Sequence, residues 1–218
     1  VTVLVTACAM LLAGCGGSDA ESSRPNGDSI EEHEEVQVGL SAAQIREAMP
    51  DGDMLPDGVG GISRPDTFEG QEAGEKCRTE TGTACSGVVA SGLHAYTTYP
   101  GEGDIFWTAF TFDTAENAQV AWKGMVTGKR KGDESDDLKE LKVSVHADEV
   151  NAYCFPPAYD YSSGKDMKFH DAKVMMRIGG TVVLLVGYDM PDFKVIQELA
   201  TGAADRVTKV AQGKNPDA

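Results

Sequence analysis

The chain is 218 residues long, with 41% hydrophobic residues and a formal net charge of −16. That length holds one domain of ordinary size with a tail, and the apolar fraction is enough for a buried core. A surface this acidic repels phosphate backbones and anionic headgroups, which excludes nucleic acid as a partner and excludes membrane attachment through a basic patch.

The chain opens on an apolar run, Val1 to Leu12. The run is too short to span a bilayer and suits the apolar segment of a signal peptide. Small residues Ala13 and Gly14 follow, and then Cys15. The string Leu12-Ala13-Gly14-Cys15 resembles the lipobox of bacterial lipoproteins. The resemblance implies transfer of a diacylglyceryl group to the Cys15 sulfur and cleavage before it. Residues 1–14 are then a lipoprotein signal peptide. The mature chain is held by lipid, such as palmitate chains, on the extracytoplasmic side of the cell membrane. Each buried methylene contributes about 0.8 kcal/mol, so two chains anchor stably where one does not. No Lys or Arg precedes the apolar run, so the signal peptide is expected to start upstream of Val1.

Residues 15–39 carry the lipidated cysteine and a tether. The tether is rich in Gly, Ser, Asp, Glu, Pro and Asn and includes Glu31-Glu32-His33-Glu34-Glu35. Low apolarity and like charge predict a disordered, extended segment, with His33 solvated rather than ligating a metal.

Residues 40–213 read as a single extracytoplasmic domain, and 214–218 as a disordered tail. Ser41 caps a short helix, Ala42 to Met49, ended by Pro50. A Gly/Asp/Pro-rich loop runs from Asp51 to Gly61. Gly87–Tyr99 and Ile105–Phe112 form a hairpin across Pro100-Gly101-Glu102-Gly103-Asp104. Asp113 with Glu116 predicts a capping box for a helix that ends near Gly128. Ala115, Ala118, Trp122, Met125 and Val126 share one face of that helix. A charged loop from Lys129 to Asp137 follows, then a strand from Val143 to Phe155. Lys173–Ile178 and Thr181–Tyr188 form the clearest hairpin, joined by Gly179-Gly180. Asp192 caps the last helix, whose buried face carries Phe193, Ile196, Leu199, Ala203, Val207 and Val210 and which Gly213 ends. The order predicts an α+β fold, one antiparallel sheet with helices packed mainly on one face.

Five cysteines are present. Cys8 and Cys15 belong to the N-terminal segment, so Cys77, Cys85 and Cys154 remain. A disulfide between Cys77 and Cys85, pinning the polar stretch between them, is the expected pairing. The two pairings with Cys154 are the alternatives, and an unpaired Cys154 reads as a buried, inert thiol.

Catalytic patterns fail on context. Ser162-Ser163-Gly164-Lys165 has the Ser-x-x-Lys spacing of penicillin-recognising enzymes, but it lies in a loop and its partner motifs are absent. Gly124 to Lys129 has phosphate-loop character but is one residue short and sits at a helix end. Asp51, Asp53 and Asp57-Gly58 lack the ligands a calcium loop needs. His94, His146 with Asp148 and Glu149, and His170 with Asp171 lack the paired spacing of a metal site. No metal, cofactor or catalytic residue is therefore assigned. Trp107, Tyr153, Tyr159, Tyr161 and Tyr188 are candidates to line a ligand groove, although strand alternation sends about half of such residues to the core.

The body as a whole resembles secreted domains of actinobacterial lipoproteins, of streptomycete and mycobacterial type. It also resembles the extracellular sensor domain of mycobacterial receptor Ser/Thr kinases. The resemblance is carried by Leu40-Ser41-Ala42-Ala43-Gln44, Met54-Leu55-Pro56, Ala115-Glu116-Asn117-Ala118, Ala147-Asp148-Glu149-Val150, Arg177 to Val183 and Arg206-Val207. It implies an α+β fold and a sensing or binding role in the cell envelope and carries over no catalytic residues; with the lipobox, the tether and no recognisable catalytic set, a non-enzymatic role is expected. The partner would be a small molecule, a lipid, a cell-wall fragment or an envelope protein. An envelope hydrolase without a linear motif, or a docking lipoprotein, is the alternative.

Overall fold

The computed structural model describes residues 39–50, 52, 55–61, 64–82, 85–99, 103–133, 138–156, 159–160, 165–166, 170–190 and 192–218, the pairs 159–160 and 165–166 by backbone only. The lipobox, Cys15 and the tether through 38 lie outside the described residues, as do Asp51, Asp53, Tyr161 and Ser162 to Gly164.

Helix α1 (Ala42–Ala48) starts where its chemistry demands. The Ser41 hydroxyl accepts from the Gln44 amide at 3.3 Å, and Gln44 Oε1 accepts from the Ser41 amide at 3.0 Å. This closes a reciprocal cap that satisfies two otherwise orphaned donors. Strands β1 (Val59–Gly61) and β2 (Asp66–Glu69) both pair antiparallel with β3 (Val88–Thr98), opposite Tyr96–Thr98 and Ala90–Leu93 respectively. Between them and β3 the chain forms α2 (Gly70–Thr81), a helix not expected from the sequence. The polar stretch after Cys77, expected as a loop, is in its first part the last turn of this helix. The helix stops at Gly82, whose φ of +65° few other residues adopt. Its buried residues are the small Ala73, Cys77 and Thr81, each a helical turn from the next, so it shows no large apolar stripe.

β3 and β4 (Asp104–Phe112) form the first hairpin as expected. Helix α3 (Ala115–Gly132) is capped one residue later than expected. The Thr114 hydroxyl accepts from the Asn117 amide at 3.1 Å, while Asp113 accepts from the Asn117 side chain at 2.7 Å. The helix runs past Gly128, and the basic triplet Lys129-Arg130-Lys131 is its last turn, where cations complement the negative end of the dipole.

Of the strand expected over Val143–Phe155, only β6 (Glu149–Cys154) joins the sheet, flanked by the short β5 (Lys139–Glu140). Residues 141–147 are extended, and Leu141, Val143, Val145 and Ala147 pack on the core. The intervening carbonyls face the last helix, with Lys142 O accepting from Gln197 Nε2 at 2.7 Å and Ser144 O from Thr201 Oγ1 at 3.3 Å. Period-two burial is met here by docking on a helix, so alternation alone does not make a strand. β7 (Tyr159–Asp160) and β8 (Lys165–Asp166) pair with each other, and β9 (His170–Ile178) with β10 (Thr181–Met190) makes the Gly179-Gly180 hairpin.

Among the described residues the sheet has eight strands in the order β1-β3-β4-β10-β9-β6-β5, with β2 sharing the outer edge of β3, and every pairing is antiparallel. The fold is α+β. The helices, expected mainly on one face, are divided between two. α1 and α4 (Lys194–Ala211) cover Trp107, Ala109, Val174, Met176, Val183 and Leu185. α2 and α3 cover Phe110, Phe112, Tyr153, Met175, Val182 and Leu184. Central strands buried on both sides carry apolar residues without alternation, as Val182 to Val186 does. Gly92 lets α1 approach β3, since a Cβ there would lie 2.4 Å from both Ile45 Cγ2 and Met49 Cε.

At the start of α4 the Asp192 carboxylate accepts from the Lys194 amide at 2.8 Å, with Phe193 in the cap position. The segment 214–218, expected to be disordered, folds back on α4. Arg206 bonds Asp217 and, at 2.6 Å, the Glu47 carbonyl, while Lys209 Nζ donates to the Ala218 carbonyl at 2.7 Å. Arg206 is buried and in this way ties α4 to α1 and to the tail.

Candidate functional site

Strand register sets side chains of the α2/α3 face in rows across the sheet. One row runs Leu93, Thr108, Leu184, Met175 and the next Ala95, Phe106, Val186, Lys173, Tyr153. α2 covers the first row at its β3 end, and the end of α3 covers Lys173 and Tyr153. Between the two helix ends the sheet is open. Phe106 and Tyr188 stand there 37% and 45% exposed, large values for aromatic residues on a sheet face. Their rings meet edge to face with centroids 6.1 Å apart.

A polar cluster bounds this shelf on one side. Lys173 Nζ lies 2.7 Å from both oxygens of Asp133, the residue that ends α3, and the Tyr153 hydroxyl donates to Asp133 at 2.5 Å. The Lys173 and Asp133 side chains are only 11% and 16% exposed, so the pair is largely desolvated. Burial first, and then the Asp133 carboxylate, push the Tyr153 phenol far above its ordinary range. The Arg130 guanidinium lies 4.8 Å over the Tyr153 ring and donates to Asn151 at 3.0 Å and to Glu140 at 2.8 Å. Half-buried Lys129 is held below the usual lysine range by desolvation, opposed by the Glu80 carboxylate of α2. Tyr188 is shifted up by burial and then by the Asp171, Asp133 and Glu80 carboxylates.

On the other side, beneath α2, lies a cavity of 40 Å³ lined by Phe68, Lys76, Glu80, Ser91, Leu93, Thr108 and Phe110. Lys76 Nζ lies 4.8 Å from the Phe68 ring centroid. Ser91 and Thr108 are buried, and Ser91 Oγ has no hydrogen-bond partner among the described residues.

Of the aromatic residues expected to line a groove, Tyr153 and Tyr188 belong to this shelf, while Trp107 is buried on the opposite face. Tyr159 is described by backbone only, in β7. His94 is buried with its ring 4.4 Å from that of Tyr96, and the His170 ring lies 4.6 Å from Phe193. Asp148 and Glu149 both pair with Arg177, at 2.9 and 2.6 Å. Gly124 to Lys129 lies inside α3, without phosphate-loop geometry. The Cys77 and Cys85 sulfurs are bonded, and Cys154 is a free buried thiol whose pKa burial raises.

Phe106, Lys129, Asp133, Lys173, Ser91 and Thr108 are the site residues that sequence reasoning missed. Lys173 carried a signal, because a charge between Ala172 and Val174 in a strand buried on both faces needs a partner. Its partner lies 40 positions away, at the end of a helix.

No protein-family model matches the chain, and no curated protein matches it. Among solved structures it is similar to the extracellular domain of PknH from Mycobacterium tuberculosis, with a TM-score of 0.53 and 11% identity over 78% of this chain and 98% of that one. Among the described residues no helix is long and apolar enough to cross a membrane. At this identity the likeness is one of fold, and at that level it supports the resemblance to mycobacterial extracellular sensor domains read from the sequence.

Proposed function

We propose that this chain is a lipid-anchored, extracytoplasmic, non-enzymatic binding domain with a sensor-like role in the cell envelope. The observation that carries the reading is the uncovered shelf of Phe106 and Tyr188 between the ends of two helices, with a polar cluster at one side and a cavity at the other. Apolar surface with a few convergent polar groups is the ordinary composition of a ligand site. The fold likeness to an extracellular domain supports the placement, and the lipobox Leu12-Ala13-Gly14-Cys15 supports the anchor.

Gly39, the first described residue, donates to the Phe112 carbonyl at 2.9 Å, at the end of β4 beside the Gly179-Gly180 turn. Phe106 lies back along the same strand, about 20 Å away at ~3.4 Å per residue.

Two measurements test this on the full chain. Cells fed labelled fatty acid are expected to label the wild type and not Cys15→Ser, which leaves the membrane fraction; an unlabelled wild type overturns the anchor. Native mass spectrometry of chain extracted from its own envelope is expected to show a small-molecule adduct that Phe106→Ala/Tyr188→Ala removes. A bare mass, or an adduct indifferent to that change, overturns the shelf as the binding site.

A further inference from the structure

We propose that the cavity beneath α2 is a subsite for an acetamido group and that the shelf beside it takes the ring of an N-acetylated amino sugar. The inference rests on the shelf being the binding site and adds the ligand's chemical class. Three features of the cavity select the group. Part of its wall is apolar, formed by Phe68, Leu93 and Phe110, which suits a methyl. Its lining includes two hydroxyl-bearing residues, Ser91, 2% exposed, and Thr108, 6% exposed, on neighbouring strands. Ser91 Oγ has no hydrogen-bond partner among the described residues, and a buried hydroxyl left unpaired is costly, so a donor or acceptor entering the cavity gains the bond the protein does not supply. The charges lining the cavity, Lys76 and Glu80, are of opposite sign, so the site has no net charge to offset an ionised group. A small neutral amide bearing a methyl meets all three conditions.

The spacing selects the rest of the ligand. Thr108 and Phe106 are two residues apart on the same face of β4, which places the aromatic shelf about 7 Å from the hydroxyls. A pyranose carrying its acetamido group spans that distance, with the ring lying against Phe106 and Tyr188.

The test is an NMR titration of the isotope-labelled full chain with N-acetylglucosamine, its β-1,4-linked trimer, glucose and N-acetylalanine. The acetylated sugars are expected to shift the resonances of Ser91, Leu93, Thr108 and Phe106, with the trimer binding more tightly. Glucose is expected to leave Ser91 and Thr108 unmoved. Ser91→Val, which fills the cavity, and Ser91→Ala, which keeps its volume, are each expected to weaken binding about tenfold or more, the loss that goes with one buried hydrogen bond. Unchanged circular dichroism in Ser91→Ala guards against misfolding. The proposal is overturned if the acetylated sugars leave Ser91 and Thr108 unmoved, if glucose binds equally, or if N-acetylalanine binds as well as the sugars. Shifts confined to Phe106 and Tyr188, indifferent to both Ser91 variants, overturn the subsite while leaving the shelf as a binding surface. Loss of the native adduct in Phe106→Ala/Tyr188→Ala reports on the shelf independently of this outcome.

Discussion

Replacing Asp133 by Ala removes the group that the Lys173 ammonium and the Tyr153 hydroxyl both use, at 2.7 and 2.5 Å. The Lys173 side chain is 11% exposed and Phe155 lies beside it, so the ammonium is left in largely desolvated surroundings with little water to replace the carboxylate. Leaving one member of a fully buried pair costs about 3–5 kcal/mol. The remaining exposure and the removal of an acid from a helix C-terminus, worth about 0.3–1 kcal/mol, reduce this. The expected loss is about 2–3 kcal/mol. Lys173→Met alone is expected to cost less, because Asp133 keeps the Tyr153 bond and some solvent. The double variant is expected to recover part of the loss, giving a coupling of about 1–2 kcal/mol. Equilibrium urea unfolding, without reductant so that the disulfide stays closed, measures all four proteins. Asp205→Ala, an exposed acid on α4, controls for the general relief of a chain with net charge −16. An Asp133→Ala loss within ~0.5 kcal/mol of that control, or a cycle with no coupling, refutes the reasoning.

The raised Tyr153 pKa has a defined sign. A phenol whose folded pKa lies above its unfolded value contributes stability that is complete below about pH 10 and falls as pH rises beyond it. The stability difference between wild type and Tyr153→Phe should therefore shrink above about pH 10, and a phenolate absorbance titration should show one fewer residue resisting ionisation in the variant. Gly92→Ala places a methyl against Ile45 and Met49 and should cost about 1–3 kcal/mol in urea, with α1 detaching first in hydrogen exchange; an unchanged midpoint would contradict the close approach of α1. Opening the Cys77–Cys85 bridge, which spans a separation of 8, should cost about 2–3 kcal/mol by loop-closure entropy, measured as the difference between wild type and Cys77→Ser/Cys85→Ser. A negligible difference would mean that the end of α2 is held by packing alone.

The amino-acid sequence by itself determined the parts whose chemistry is local. Ser41 before an apolar turn, Gly179-Gly180 between two β-rich runs, and the stripe from Ile196 to Val210 each specify an element within a few residues, and each element is present. The sequence also supplied the antiparallel α+β class, because its strands come in hairpins. Only the tertiary structure decided what depends on distant partners. Helix α2 buries small residues, so its place follows from β3 and α3 rather than from its own pattern. The stretch 141–147 has strand periodicity yet docks on α4, because Gln197 and Thr201 take its carbonyls. The division of the helices between two faces left the gap that exposes Phe106 and Tyr188, and Lys173 found Asp133 only once α3 lay across the sheet. Backbone geometry is read from neighbours along the chain, whereas a desolvated charge and an open shelf are set by which surfaces end up against each other.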